Sequence, residues 1–380
     1  MDRSKIRQKI ELWITDIGYV FIALIISFFL IVVIDRMLRW AIVWRRNYTL
    51  RTLHGEERKT YAIRKIDENL ARSLARSRLR LAPDPLQSEF VNVSHEGFRQ
   101  DVPPNGSTDS FTIYIFGGST TFGTGVADNE TFPYYLQQQL NTLKLRRPVQ
   151  VYNFGQPGYA SYQEMYLLVD LLRQGKKPDI VVFYDVFNEE SGLMDYLTED
   201  RQSGYVETDY YWKPINKTLV TYRDHTFGVV DWLAKLKGFT HLAQYMRSKL
   251  ISPRPRIQSN DDVVHIQRFA AGRVNTYIKN NEFVNAISPV WKLTPYFVLQ
   301  PYKDSQNAQG LKAAYGRTLY QGITNSTHGR VLDWSRIFDK EKPSEIYLDS
   351  AHLTPKGNEL LAEKLFDLLT HDAHVKALKQ

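Results

Sequence analysis

Phe111-Thr112-Ile113-Tyr114-Ile115-Phe116-Gly117-Gly118-Ser119-Thr120-Thr121-Phe122-Gly123 is the stretch on which the reading of this chain turns. Its first half is apolar, β-branched and aromatic, the composition of a short buried strand. Its second half is a glycine-flanked turn that sets one hydroxyl, Ser119, at the strand's C-terminal end. Open α/β sheets place their active sites at that end. Paired glycines let the backbone turn sharply and let a ligand approach. On its own, the pattern fits a strand-to-helix turn capped by Ser119 better than it fits a nucleophile.

The pattern repeats outward. Thr131 to Leu145 has the spacing of an amphipathic helix, Val149 to Phe154 that of a second strand, and Gln163 to Leu172 that of a second helix. Pro178 to Val186 reads as a third strand, apolar through its middle, followed by Phe187-Asn188-Glu189-Glu190. Near-continuous apolar strands alternating with amphipathic helices predict a parallel sheet covered on both faces. The rhythm stops between about 191 and 265, which reads as an insertion rich in Tyr, Trp and Thr. It resumes with a helix over Ile266 to Ile287, a strand over Pro295 to Gln300, a short element at Val331 to Phe338, and a helix over Asn358 to Leu369.

Ahead of the sheet, Ile17 to Ile34 is an 18-residue run without a charge. As a helix it would cover roughly 27 Å, close to the hydrocarbon thickness of a bilayer. Trp13, Trp40 and Trp44 lie near its ends, as in an interfacial aromatic belt. A buried core helix and a cleaved signal peptide are the alternatives. The second lacks a small-residue cleavage site, since Asp35-Arg36-Met37 follows. Four basic residues precede the run and five follow it by Arg51, so flanking charge does not set an orientation. Arg51 to Leu81 alternates basic and apolar residues and predicts an amphipathic helix beside the membrane. The division expected is an anchor at 1–48, a basic juxtamembrane stalk at 49–89 and a catalytic domain at 90–380, complete from about Pro83 onward.

The chain has 380 residues, a net charge of +8 and no cysteine. The last point excludes disulfides, thiol nucleophiles and cysteine-ligated zinc. The basic excess is concentrated near the N-terminus without an aromatic platform or reading motif, so no nucleic-acid partner is expected.

A serine hydroxyl needs a base, and the base needs a group that fixes its tautomer. Asp349 and His352, three residues apart before the last helix, have the residue types for those roles. Donors for a developing oxyanion are the backbone N–H groups of Ser119 and Gly158 and the side chain of Asn188, each just past a predicted strand. Taken together these blocks resemble the SGNH, or GDSL, hydrolases. Gly117-Gly118-Ser119 stands as the first block, Asn153-Phe154-Gly155-Gln156-Pro157-Gly158 as the second, Asp185-Val186-Phe187-Asn188 as the third, and Asp349-Ser350-Ala351-His352 as the last. The resemblance covers roughly 90–190 and 290–370. It implies a flavodoxin-like three-layer α/β/α sandwich around a mostly parallel sheet, here with one N-terminal transmembrane helix. It implies nucleophile Ser119, base His352, orienting Asp349, and oxyanion donors Ser119, Gly158 and Asn188, with Gly155 as an alternative to Gly158. No cofactor or metal is expected.

Two departures stand out: Gly118 replaces the family's Asp, and Val186 replaces a glycine usual two residues before the Asn. By analogy with membrane-linked bacterial relatives, the expected setting is a single-pass inner-membrane protein. Its C-terminal domain would lie in the periplasm or outside the cell and cleave or transfer acyl esters, with an acylated glycan or a membrane protein as partner. A scaffold or accessory subunit with an unused site is the rival. His371 and His374 read as a solvated helix end rather than metal ligands, and Lys176 and Lys177 as a solvated turn. Asp128 and Glu130 read as helix caps. The aromatics between 196 and 232 read as a packed lid or a sugar-binding face.

Overall fold

The computed structural model describes residues 53–76, 85–99, 110–190, 260–303, 311–327 and 331–378, together with scattered positions between 19 and 44. The chain divides into two compact units, Met1–Gly55 with Val220–Arg254, and Glu56–Leu219 with Pro255–Gln380.

The second unit is built on five strands, β1 Phe111–Gly117, β2 Val149–Gly155, β3 Ile180–Asp185, β4 Thr294–Leu299 and β5 Leu332–Asp333. All neighbours run parallel, in the order β2-β1-β3-β4-β5. This is the flavodoxin-like order, and it places the topological switch point between β1 and β3. Strand side chains alternate between faces. Phe111, Ile113 and Ile115 pack with helices α3 Phe132–Asn141 and α8 Pro355–Thr370. Tyr114 and Phe116 face the other way, against α4 Ser161–Arg173, α5 Asn260–Trp291 and α6 Leu311–Thr327. Every residue of β1 and β3 is buried, which explains why both read as unbroken apolar runs.

Helix α1, Gly55–Arg76, falls in the segment expected to be a stalk. It is instead part of the domain. Ile63 and Leu70 are 2% and 5% exposed, packed with Val91, Val93, Phe122 and Ala127. Lys59 pairs with Glu130, and the Gly125 N–H donates to Asp67 Oδ2 at 2.8 Å. The basic residues of the segment drew attention to its polar face, while its apolar spacing marked a face that closes on the loop after Ser119.

Helix α5 begins at Asn260, inside the segment expected as an insertion, and runs to Trp291. Residues 191–259, with the aromatics between 196 and 232, lie outside the described residues. The run Ile17–Ile34 is described only in part. Its described positions are helical, and Ile26, Phe29 and Leu30 are 62%, 63% and 58% exposed. Among the described residues no helix is long and apolar enough to cross a membrane.

Candidate active site

Ser119 opens α2, the four-residue helix Ser119–Phe122. The N-cap is Gly118, so the serine is not the cap that the turn pattern also allowed. Its hydroxyl is directed elsewhere. Ser119 Oγ lies 2.8 Å from His352 Nε2, and His352 Nδ1 lies 2.6 Å from Asp349 Oδ2. A carboxylate accepts only, so Nδ1 carries the hydrogen and Nε2 is the free base facing the serine. The triad spans 233 residues of sequence between serine and histidine.

The loop carrying the acid and base is held by its own backbone. Asp349 Oδ1 accepts the N–H groups of Ala351 and His352, both at 2.9 Å. Leu348 N–H donates to the His352 carbonyl at 2.8 Å, and Tyr347 bridges Leu353 in antiparallel fashion. Partial burial works against the Asp349 charge. Hydrogen bonds from the His352 ring and from the two amides outweigh it and hold the carboxyl well below its ordinary range. Asp349 is therefore a fixed negative charge beside the imidazole.

The three oxyanion candidates gather at the same sheet edge. The Ser119 N–H belongs to the first turn of α2, where no intrahelical acceptor exists. Gly158 sits in an exposed turn at φ +82°, and its N–H has no partner among the described residues. Asn188 lies in the 3-10 turn Phe187–Glu190. It donates one amide hydrogen to the Tyr159 carbonyl at 2.7 Å, leaving the second for a ligand. Gly155 is excluded as the alternative, because its N–H donates to Asn153 Oδ1 at 2.9 Å. Its role is close packing: a methyl there would collide with the backbone of Thr121 and Phe122.

The departures from the family pattern acquire physical reasons. A Cβ at position 118 would run into the Asn188 amide. Glycine at 118 is what lets Asn188 lie against the serine turn. Val186 adopts φ +93°, the region a glycine occupies freely, although it is β-branched. Such a conformation costs about 1–3 kcal/mol and needs support from its surroundings.

Arg99 and Asp67 carry no motif that would have revealed them. Arg99 is buried and spans the loop after α2: Nε donates to Asp128 at 2.7 Å, and the terminal nitrogens donate to the Gly123 and Val126 carbonyls at 3.0 and 3.1 Å. Burial lowers its pKa and Asp128 opposes that. Burial pushes Asp67 up to about 6, against the Gly125 N–H and the charge of Arg99. Asp128 and Glu130 do not cap α3, although Glu130 caps the 3-10 turn Asp128–Glu130 before it, its Oε2 accepting the Ala127 N–H at 3.0 Å. The cap of α3 is Thr131, whose hydroxyl accepts the Tyr134 N–H. Asp128 instead anchors Arg99 and Asn92, and Glu130 pairs with Lys59. His371 bonds the Asp367 carbonyl and His374 lies in the short terminal helix α9, Ala373–Ala377. Among the described residues no group of three or more His, Asp or Glu side chains is arranged to hold a metal ion.

No protein-family model and no curated protein matches the chain. Solved structures do. A member of the lipolytic G-D-S-L family from Veillonella parvula is 12% identical, covers 69% of this chain and 99% of its own, and has a TM-score of 0.35. The psychrotrophic esterase EstA from Pseudoalteromonas is 14% identical, covers 68% and 97%, and scores 0.35. The acetylxylan esterase Axe2 from Geobacillus stearothermophilus is 14% identical, covers 70% and 96%, and scores 0.33. The structures this chain resembles are thus esterases and lipolytic hydrolases of the SGNH/GDSL type. At such values the likeness carries no argument about chemistry, which rests on the site itself.

Proposed function

We propose that this protein is an SGNH-type serine hydrolase that cleaves or transfers acyl esters through an acyl-Ser119 intermediate. The observation that carries the reading is the continuous hydrogen-bonded chain Ser119–His352–Asp349. Ser119 Oγ attacks the ester carbonyl as its proton passes to His352 Nε2. The negative charge that develops on the carbonyl oxygen falls among the N–H groups of Ser119 and Gly158 and the Asn188 amide. The intermediate then collapses, the C–O bond to the alcohol breaks, and His352 returns its proton to the leaving oxygen. Water or another hydroxyl, deprotonated by the same imidazole, releases the acyl group. Asp349 holds the tautomer throughout.

A membrane-anchored form of this enzyme, with the domain outside the cytoplasm and an acylated envelope glycan as substrate, is the setting we favour. Its support is the apolar run Ile17–Ile34 and the outward exposure of its described side chains. The scaffold reading is disfavoured by the triad geometry, since an unused site has no reason to keep the imidazole between both partners.

A fluorophosphonate probe tests the central claim without knowledge of the substrate. It should label Ser119 covalently, fail entirely in Ser119→Ala, and label His352→Ala slower by roughly 10³-fold or more. Label that persists in Ser119→Ala, or none on the folded wild-type protein, overturns the hydrolase reading.

A further inference from the structure

Behind the oxyanion donor lies a group of acids that the triad chemistry does not use. Glu164 on α4, Asp185 at the end of β3 and Glu189 in the following turn are 0%, 3% and 0% exposed. Glu189 Oε1 accepts the Ser161 N–H at 2.8 Å, and the Arg273 guanidinium of α5 lies 3.9 Å from Oε2. The Glu189 carbonyl accepts the Tyr315 hydroxyl of α6 at 3.0 Å. Three helices therefore grip the residue that follows Asn188. On the other side of Asn188 is Val186, at φ +93° and 1% exposed. A strained β-branched residue stays in place only where its surroundings over-determine it.

The other two acids form a pair. None of the four oxygens of Glu164 and Asp185 accepts a well-formed hydrogen bond among the described residues, the Tyr277 hydroxyl being a donor that approaches Asp185. The carboxyls face one another, with the Tyr277 hydroxyl toward Asp185. Two carboxylates cannot bond to each other; one must carry a proton to become a donor. Among the described residues, three buried anions against the guanidinium of Arg273 would also leave charge without compensation.

We propose that Glu189 is the positioning residue of Asn188, and that the Glu164–Asp185 pair, sharing a proton, is the seat on which Glu189 and the strained Val186 rest. The proposal rests on Asn188 acting at the oxyanion, as argued above. Burial pushes Asp185 up to about 8 and Glu164 well above its ordinary value, in keeping with a retained proton. Losing that proton sets a second negative charge against Glu189, which Arg273 opposes among the described residues. The turn then loosens and the oxyanion donor moves. A misplacement of about 1 Å at such a donor lowers rates about 10²-fold.

The test uses the full chain and two readouts. In Glu189→Ala the labelling of Ser119 by a fluorophosphonate should slow by roughly 10²-fold. Glu189→Gln, which still accepts the Ser161 N–H, should recover most of it. Wild-type labelling should fall between pH 7 and 9 more steeply than that of Asp185→Asn, whose amide cannot ionise. The melting temperature gives a reading independent of activity. The folded protein holds a proton that the unfolded chain releases, so wild-type stability falls as pH rises from about 4 to about 8. Asp185→Asn should lose less over the same range, the difference standing clearest between about pH 6 and 8, above the loss that Asp67 contributes to both proteins. Should Glu189→Ala fail to fold, the Asp185→Asn profiles decide. Coincident wild-type and Asp185→Asn profiles, or wild-type labelling rates in a folded Glu189→Ala, refute the positioning role. A wild-type protein without label refutes the hydrolase reading instead, and the melting curves still report on the acid pair.

Discussion

At the scale of single residues, the site is a matter of which hydrogen bonds remain free. Asn188 has one amide hydrogen committed to Tyr159 and one to spare. Asn188→Ala should leave the fold intact and lower the labelling or turnover rate by about 10²–10³-fold. Gly118→Ala puts a methyl into the same amide and should slow the reaction as well. In the double variant the obstruction has nothing left to strike, so the loss should be no greater than in Asn188→Ala alone. Additive losses in that cycle, measured as labelling rates, would separate the two residues. Asp67 offers a pH prediction. Its pKa of about 6 lies above the ordinary 3.8, so the folded state holds a proton that the unfolded chain gives up. Stability is therefore lost as pH rises from about 4 to about 6. Asp67→Asn keeps an acceptor for the Gly125 N–H without the buried charge. It should melt a few degrees above wild type at pH 7.5 and near it at pH 5. A melting point below wild type at pH 7.5 would mean that the Asp67 charge itself is needed, against Arg99.

At the scale of elements, the helix that looked peripheral is integral. A chain beginning at residue 85 exposes Phe122, Val91 and Ala127, which α1 covers. It should aggregate or melt far below a chain beginning at residue 53, as a thermal scan of the two would show. Leu70→Ala should destabilise by about 2–5 kcal/mol, the range for a truncated core leucine. Full stability in either case would mean that α1 is only laid on the surface. The strands and the last helix were legible because apolar runs and 3.6-residue spacing report burial directly. The Ser119, Asp349 and His352 candidates were legible because the blocks around them, at turns and helix starts, resemble those of a known family. The seat of α1 was not, since an amphipathic helix shows a buried face without saying what buries it. Arg99, Asp67 and the Glu164–Asp185–Glu189 group were invisible for a different reason: isolated charged residues give no periodic signal, and only the fold brings them together. Glu164 is four residues into an ordinary amphipathic helix, where it reads as a solvated position.

At the scale of the whole molecule, the strongest expectation concerns the membrane. Removing residues 1–48 should release the protein from the membrane fraction while leaving Ser119 reactive, because every residue of the proposed triad and oxyanion site lies in the unit that begins at Glu56. A reporter fused at Gln380 should be active only outside the cytoplasm. A cytoplasmic signal from that position would defeat both the orientation and an envelope substrate.

The separation of the nucleophile from its base also has a consequence in time. Ser119 and His352 stand 233 residues apart in the sequence. Helix α8, which closes one face of the sheet, is made after it. While the chain is being synthesised, then, the serine emerges early and remains an ordinary alcohol. Any prematurely terminated product carries a nucleophile without a base and a sheet without one of its covering layers. Reactivity waits for His352 and the helix that follows it, whichever residues come after.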